Sequence, residues 1–253
     1  VTWLAVWLAG VGLADLVRAA RPAVARWAVP AGAGLVVALA LVSGLTAPVD
    51  LVVLAASLLP LGLWVRYSRQ SLETGSGHVA ALAWLAVGAL WCLGLSGWAS
   101  VPGGLLERWL AWADLPVVGA DPQRVILVLG LVLANLATGN VLVRLVLVSV
   151  GALRPVSHTD AGAGPEPAEQ LRGGRLLGPM ERLVILGLGL AGQLTAAGLV
   201  IAAKGLIRFP ELQAKRSETT AVDGVGIDAV TEYFLVGSFV SWILALAALA
   251  LAR

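Results

Sequence analysis

GRLLGPMERLVILGLGLAGQLTAAGLVIAAKGLIRFPE, from Gly174 to Glu211, is an apolar run with a charged group near each end and an amide at its middle. A helix turns by about 100° per residue, so positions eleven apart return to nearly the same face. Arg182, Gln193, Lys204 and Lys215 have that spacing, and Arg208 and Glu211 join the stripe if the helix continues. The stretch therefore predicts one membrane helix over residues 183–203 with polar groups along one side.

The rest of the chain fits that setting. Its 253 residues are 59% hydrophobic and 13% charged, with a mean hydropathy of +0.90. That is more apolar than the surface of a soluble domain permits. The expected fold is all-α, a polytopic transmembrane helical bundle. A hydrocarbon core about 30 Å thick takes roughly 20 apolar residues. Seven such spans can be drawn, at 1–17, 28–47, 51–65, 79–99, 124–144, 183–203 and 233–252. Residues 1–153 then form a five-span part, 154–174 a flexible cytoplasmic loop rich in Pro, Gly and Ala, and 175–253 a two-span part. The first span has no basic segment or cleavage pattern of a signal peptide. Pro60 predicts a kink in the third span. In the connector before the fifth, Leu105, Leu106, Trp109 and Leu110 predict a short helix lying in the interface. Trp84, Trp91 and Trp98 recur every seven residues on the fourth span, a packing stripe with Gly88 and Gly94 beside it.

Several chemistries are excluded or given no support. The net charge is only +2, without a basic run or interleaved aromatics, which argues against nucleic acid. Cys92 is the single cysteine, and His78 and His158 lie in loops without a second ligand pattern, so no disulfide, metal site or cofactor is expected. Gly187, Gly189 and Gly192 spell GxGxxG, but inside an apolar helix they serve packing, not a dinucleotide. Nothing calls for a homo-oligomer.

With seven spans, an outside N-terminus and inside C-terminus place eleven of the seventeen lysines and arginines in the cytoplasm and six outside. At the outer end, Lys204, Arg208 and Glu211 leave the sixth span where Asp228, Glu232 and Tyr233 enter the seventh. They form either an ion-paired hairpin or a site for an anion or headgroup. Arg175, Glu181 and Arg182 make a second cluster at the opposite face. Asn135 in the fifth span and Gln193 in the sixth lie near the midplane, either bonded to each other or lining a polar path.

GRxxGxxER at Gly174–Arg182, AKxxxRFxE at Ala203–Glu211 and EYFLxGS at Glu232–Ser238 resemble the C-terminal part of a family of bacterial multi-pass membrane proteins known only as a domain of unknown function. Together they cover about the last 80 residues. Gly205 and Ser238 stand where the family pattern has Ser and Thr, and the N-terminal half shares little beyond Ala14–Leu16. The resemblance implies a bacterial cytoplasmic membrane and brings no activity. The leading functional expectation is binding, with translocation as its extension, of an anionic amphiphile such as a lipid or polyprenyl phosphate. The alternatives are a membrane-embedded enzyme on a lipid headgroup, with Glu232 or Glu181 as acid or base, and a non-catalytic scaffold.

Overall fold

The computed structural model describes residues 1–113, 121–153, 174–219 and 226–252, with side chains described at 1–113, 121–153, 177–206 and 232–252. The elements are helical: α1 Thr2–Ala20, α2 Ala28–Val42, α3 Pro48–Thr74, α4 His78–Gly94, α5 Gly104–Ala113, α6 Pro122–Leu133, α7 Gly139–Ser149, α8 Gly174–Leu190, α9 Leu194–Thr219 and α10 Gly226–Leu251. A π-helical turn, Ala134–Thr138, joins α6 to α7. Six stretches among the described residues are long and apolar enough to cross a membrane: Thr2–Ala20, Pro22–Val42, Pro48–Thr74, His78–Trp98, Pro122–Ser149 and Glu232–Leu251. The chain is an all-α polytopic bundle. The expected loop at 154–174 falls, Gly174 excepted, outside the described residues.

The helices form two compact units, one of residues 1–69 and 77–138, the other of 70–76 and 139–251. In the first unit α1 is central, and its sequence explains why. Small residues recur on it at helical spacing, and lipid gives helices no hydrophobic reason to associate, so close backbone approach has to hold them. A Cβ built on Gly32 of α2 would lie 2.5 Å from Gly10 O, and one on Gly130 of α6 would lie 2.5 Å from Ala5 O. On the remaining face stand Trp3 and Trp7, one turn apart and fully buried. The Trp7 ring fills the space left at Gly88 of α4, where a Cβ would come within 2.1 Å of it. Gly88 thus has the packing role its sequence position suggests, whereas nothing lies near Gly94.

α1 and α3 run parallel. Trp3 Nε1 donates to Asp50 Oδ1 at 2.8 Å, Trp7 Nε1 to Ser57 O at 3.0 Å, and Trp64 Nε1 to Asp15 Oδ2 at 3.0 Å, so partners advance together along both helices. Two crossings therefore separate their starts. α3 continues through Pro60 to Thr74, well past the end expected at residue 65.

The second unit departs most from expectation. The run at 183–203 is not one helix. α8 ends at Leu190, Gly192 takes the left-handed conformation at φ 78°, and α9 returns from Leu194. Gln193 N donates to Leu188 O at 2.8 Å and Gly192 N to Gly189 O at 3.1 Å, the paired closing bonds of a Schellman cap. Glycine reaches this conformation without a Cβ clash. The last glycine of the GxGxxG pattern is therefore a helix terminator, a correction to its reading as helix packing. Ile185 and Leu188 of α8 join Ala197, Val200 and Ile201 of α9 in one apolar cluster with Trp242 and Ala245 of α10.

On α10, Ser238, Ser241, Ala245, Ala248 and Leu249 are buried, while Leu235, Phe239, Ile243 and Leu246 on the opposite stripe are exposed. Small and polar groups face protein and large apolar groups face outward, the order lipid favours. α7 lies antiparallel to α10, since Leu147 packs with Tyr233 and Val236 at its start while Arg182 ties Asn140 to Ser241 farther along. A single intervening span would have made these two helices parallel. The α8–α9 pair thus leaves and returns at one end.

Candidate functional site

Arg182 is the largest charged group taken into the second unit, 1% exposed. It is next to Glu181 in sequence, so their side chains leave α8 about 100° apart. Arg182 turns toward α7 and α10, and its Nη2 donates to Asn140 Oδ1 at 2.6 Å and its Nη1 to Ser241 Oγ at 2.9 Å. Gly139 makes room for it, while Gly178 lies at ordinary contact distance. A Cβ at Gly139 would lie 2.8 Å from the guanidinium Nε, and one at Gly178, a turn back on α8, 3.5 Å from Nη1. Long helical side chains fold back over the preceding turn.

Glu181 turns the other way, to α9. Its Oε2 accepts from Lys204 Nζ at 2.5 Å, with both side chains partly buried at 15% and 17% exposure. The ammonium also lies 5.9 Å from the centre of the Phe234 ring on α10. A cation near an aromatic face gains about 0.5–2 kcal/mol. The hairpin thus corrects the stripe geometry, because Arg182 and Lys204 lie on neighbouring helices and not at opposite ends of one helix. Lys204 takes Glu181 as its carboxylate, whereas Glu232 is exposed.

The level is readable from α10. Arg182 meets Ser241, and a Cβ on Gly189 would meet Leu249, so α8 and α10 run parallel. Ser241 is midway along the Glu232–Leu251 span, so the Arg182 guanidinium is at mid-depth, while the Lys204 ammonium lies by Phe234, near the start of that span.

Other residues singled out from sequence have separate places. Gln193 is exposed at the hairpin turn, where its backbone closes the cap. Asn135 is buried in the π-helical turn of the first unit and donates to Leu131 O at 2.8 Å. Tyr233 packs in the apolar cluster of Leu147 and Leu153. Arg175 on α8, Arg208 and Glu211 on α9 and Asp228 on α10 belong to described helices, but their side chains lie outside the described residues.

The sequence reading passed over a second buried group. Asp15 is 1% exposed and is held by Arg18 Nη2 at 2.6 Å and Trp64 Nε1 at 3.0 Å. Thr138 stands beside the same carboxylate without a bond of ordinary length to it. Arg18 also donates to Ser68 Oγ at 2.8 Å. Asp50 is buried too, and its Oδ1 accepts from Trp3 and from Ser100 N. The available signal was simple: these are the only two carboxylates in the first 72 residues, and both interrupt apolar runs. Their donors are side chains and backbone already in the fold, so they pin α1 to α3. The group in the second unit, where adjacent residues of α8 hold a buried guanidinium on one side and a partly exposed ion pair on the other, is the stronger candidate for binding. Comparison of the chain with family models, with curated proteins and with solved structures found no match.

Proposed function

We propose that this chain is a multi-pass protein of a bacterial cytoplasmic membrane whose second unit binds the anionic headgroup of an amphiphile, such as a lipid or polyprenyl phosphate. The observation that carries the reading is the placement of Arg182. A guanidinium at mid-depth is costly in hydrocarbon, and such groups mark ligand or ion pathways. Here it is fixed by Asn140 and Ser241, and the residue before it, Glu181, holds a second cation, Lys204. Arginine offers a planar fork that matches phosphate or carboxylate oxygens. Arg208 follows Lys204 by about one turn on α9 and Arg175 precedes Arg182 by about two turns on α8, so the cations recur from mid-depth toward the end where the hairpin opens.

The hairpin also revises the proposed orientation. Because it makes no net crossing, the six spans put both termini on one face. Counted by chain order, only Arg108, Arg124 and Arg253 then share the face of the termini. Apart from Arg182 and Lys204 inside the hairpin, the other twelve of the seventeen basic residues belong to the opposite face. Such a charge bias supports placing that face in the cytoplasm. The inside C-terminus expected from seven spans is replaced by an outside one.

The test is lipid retention by the purified full chain, read by native mass spectrometry after exchange into a mixture of phosphatidylglycerol and phosphatidylcholine. Arg182→Gln is expected to lower retained phosphatidylglycerol about tenfold or more, the scale of a lost charge-assisted bond, and to leave phosphatidylcholine unchanged. Arg182→Lys keeps the charge without the fork and falls between. An unchanged ratio of the two lipids in a folded Arg182→Gln protein would refute the proposal and leave a structural arginine.

A further inference from the structure

At the end of α1 the first unit carries arginines that no carboxylate answers. α1 is followed by a 3-10 turn, Pro22–Trp27, that leads directly into α2. One span ends and the next begins there, so the turn lies at a membrane surface. Arg18, in the last turn of α1, donates to Val65 O at 3.3 Å and to Ser68 Oγ at 2.8 Å, which brings that part of α3 to the same level. Arg21, Arg26 and Arg66, all exposed, therefore stand at one membrane face. Arg18 turns inward to Asp15, whereas none of these three has an ion-pair partner among the described residues. The sequence places no carboxylate at 16–49 or at 51–72, and Asp50 is held by Trp3 at the other end of α3. Trp27 belongs to the same group, 56% exposed, with the Arg26 guanidinium 5.8 Å from its ring centre.

We infer that Arg21, Arg26 and Arg66, with Trp27, form a surface site on the first unit that holds the phosphate groups of anionic lipids. Basic side chains just outside a membrane span are attracted to anionic headgroups. Each guanidinium offers a planar fork that matches phosphate oxygens. Trp27 decides between a lipid and a soluble anion. A soluble anion would engage the arginines and leave the Trp27 ring and the exposed Val24 beside it in water, whereas a lipid answers both, since tryptophan favours the level where acyl chain meets headgroup. The face is also the one proposed above as cytoplasmic, where the leaflet carries a negative surface potential. This site does not rest on the Arg182 reading. Arg182 is buried and tied to Asn140 and Ser241 in the second unit, while these arginines lie open on the first.

A local probe tests the site apart from Arg182. The full chain carrying Cys92→Ala and Ala23→Cys is labelled at the new thiol with a fluorophore and reconstituted into phosphatidylcholine vesicles. These contain a small, equal fraction of spin-labelled phosphatidylglycerol or spin-labelled phosphatidylcholine as quencher. Both leaflets are alike, so the reading does not depend on the direction of insertion. Phosphatidylglycerol should be enriched at the probe by about fivefold or more at low ionic strength, the scale of a single arginine near an anionic surface. Rising salt should reduce the preference, because exposed charges are screened. Changing Arg21, Arg26 and Arg66 together to Gln should bring the two lipids within about twofold of each other, and changing them to Lys should keep most of the preference. If the triple Gln chain does not fold, the single variants carry the test, and each should lower the preference. Equal quenching by the two lipids in the unsubstituted chain overturns the inference, as does a wild-type preference in the folded Gln variants. Glycerol phosphate, the same anion without acyl chains, should not displace the lipid at equal concentration, and displacement would overturn the choice of lipid. Arg182→Gln should leave the preference at this probe intact, and its loss there would overturn a separate site.

Discussion

In a chain whose lone cysteine is removed by Cys92→Ala, the paired substitutions Glu181→Cys and Lys204→Cys should be bridged within one molecule by a short bis-maleimide. The prediction follows from where the helix breaks. On an unbroken helix these positions would be 23 residues and therefore about 35 Å apart, beyond the reagent's span. In the hairpin their charged ends meet at 2.5 Å. Gly192 supplies the energetic bias between these arrangements. Alanine in its left-handed conformation at φ 78° costs about 1–2 kcal/mol, and alanine gains about 1 kcal/mol over glycine inside a continuous helix. Gly192→Ala thus shifts the balance toward one long helix by roughly 2–3 kcal/mol. Against that shift stand the Glu181–Lys204 pair and the cluster of Ile185, Ala197 and Ala245. Gly192→Ala should therefore lower thermal stability by about 1–2 kcal/mol and leave the cross-link in place. The reasoning is refuted if no intramolecular bridge forms with Gly192 intact, while a control pair one turn apart, Glu181→Cys with Ile185→Cys, is bridged.

Two further outcomes test the packing and the orientation. Gly88→Ala should cost about 2–4 kcal/mol, since its Cβ would overlap the Trp7 ring and weaken the Trp7 bond to Ser57 O. In a Trp7→Phe background the added cost should shrink below about 1 kcal/mol, measured by thermal unfolding in detergent, and equal costs in both backgrounds would contradict the contact. Compartment-sensitive reporters fused separately to the N- and C-terminal ends should give the same signal, as an even number of crossings requires. Opposite signals would restore the odd count.

Much of this architecture could be read from residue order. The apolar runs located five spans and the last one, and Gly88 pointed to real packing on α4, whereas Trp91 and Trp98 of the seven-residue stripe are exposed. The main failure came at Gly192, where periodicity gave the wrong answer. The eleven-residue spacing of Arg182, Gln193 and Lys204 is satisfied by one continuous helix, but positions at equal distances either side of a turn also meet across a hairpin. Arg182 and Lys204 straddle Gln193 equally, so the two geometries share one signature. A single glycine in an apolar run does not distinguish them, because glycine serves close packing as well as helix termination. The polar partners were illegible for another reason. Asn140 and Ser241 are bland residues in sequence and become informative only when α7 and α10 bring them to Arg182. Asp15 and Asp50 were legible as exceptions to apolarity, yet the tryptophans that satisfy them are 49 and 47 residues away.

That separation has a consequence for how the chain is made. α1 reaches the bilayer carrying a carboxylate, and during synthesis only Arg18, three residues on, can answer it. The donor for its second oxygen, Trp64, is 49 residues downstream. At about 5–20 residues per second the ribosome needs roughly 2–10 s to produce it. Arg18 is itself completed only by Ser68 and Val65 O on the same late helix. In the growing chain α1 thus carries an ion pair whose hydrogen bonds are incomplete until α3 emerges to supply them.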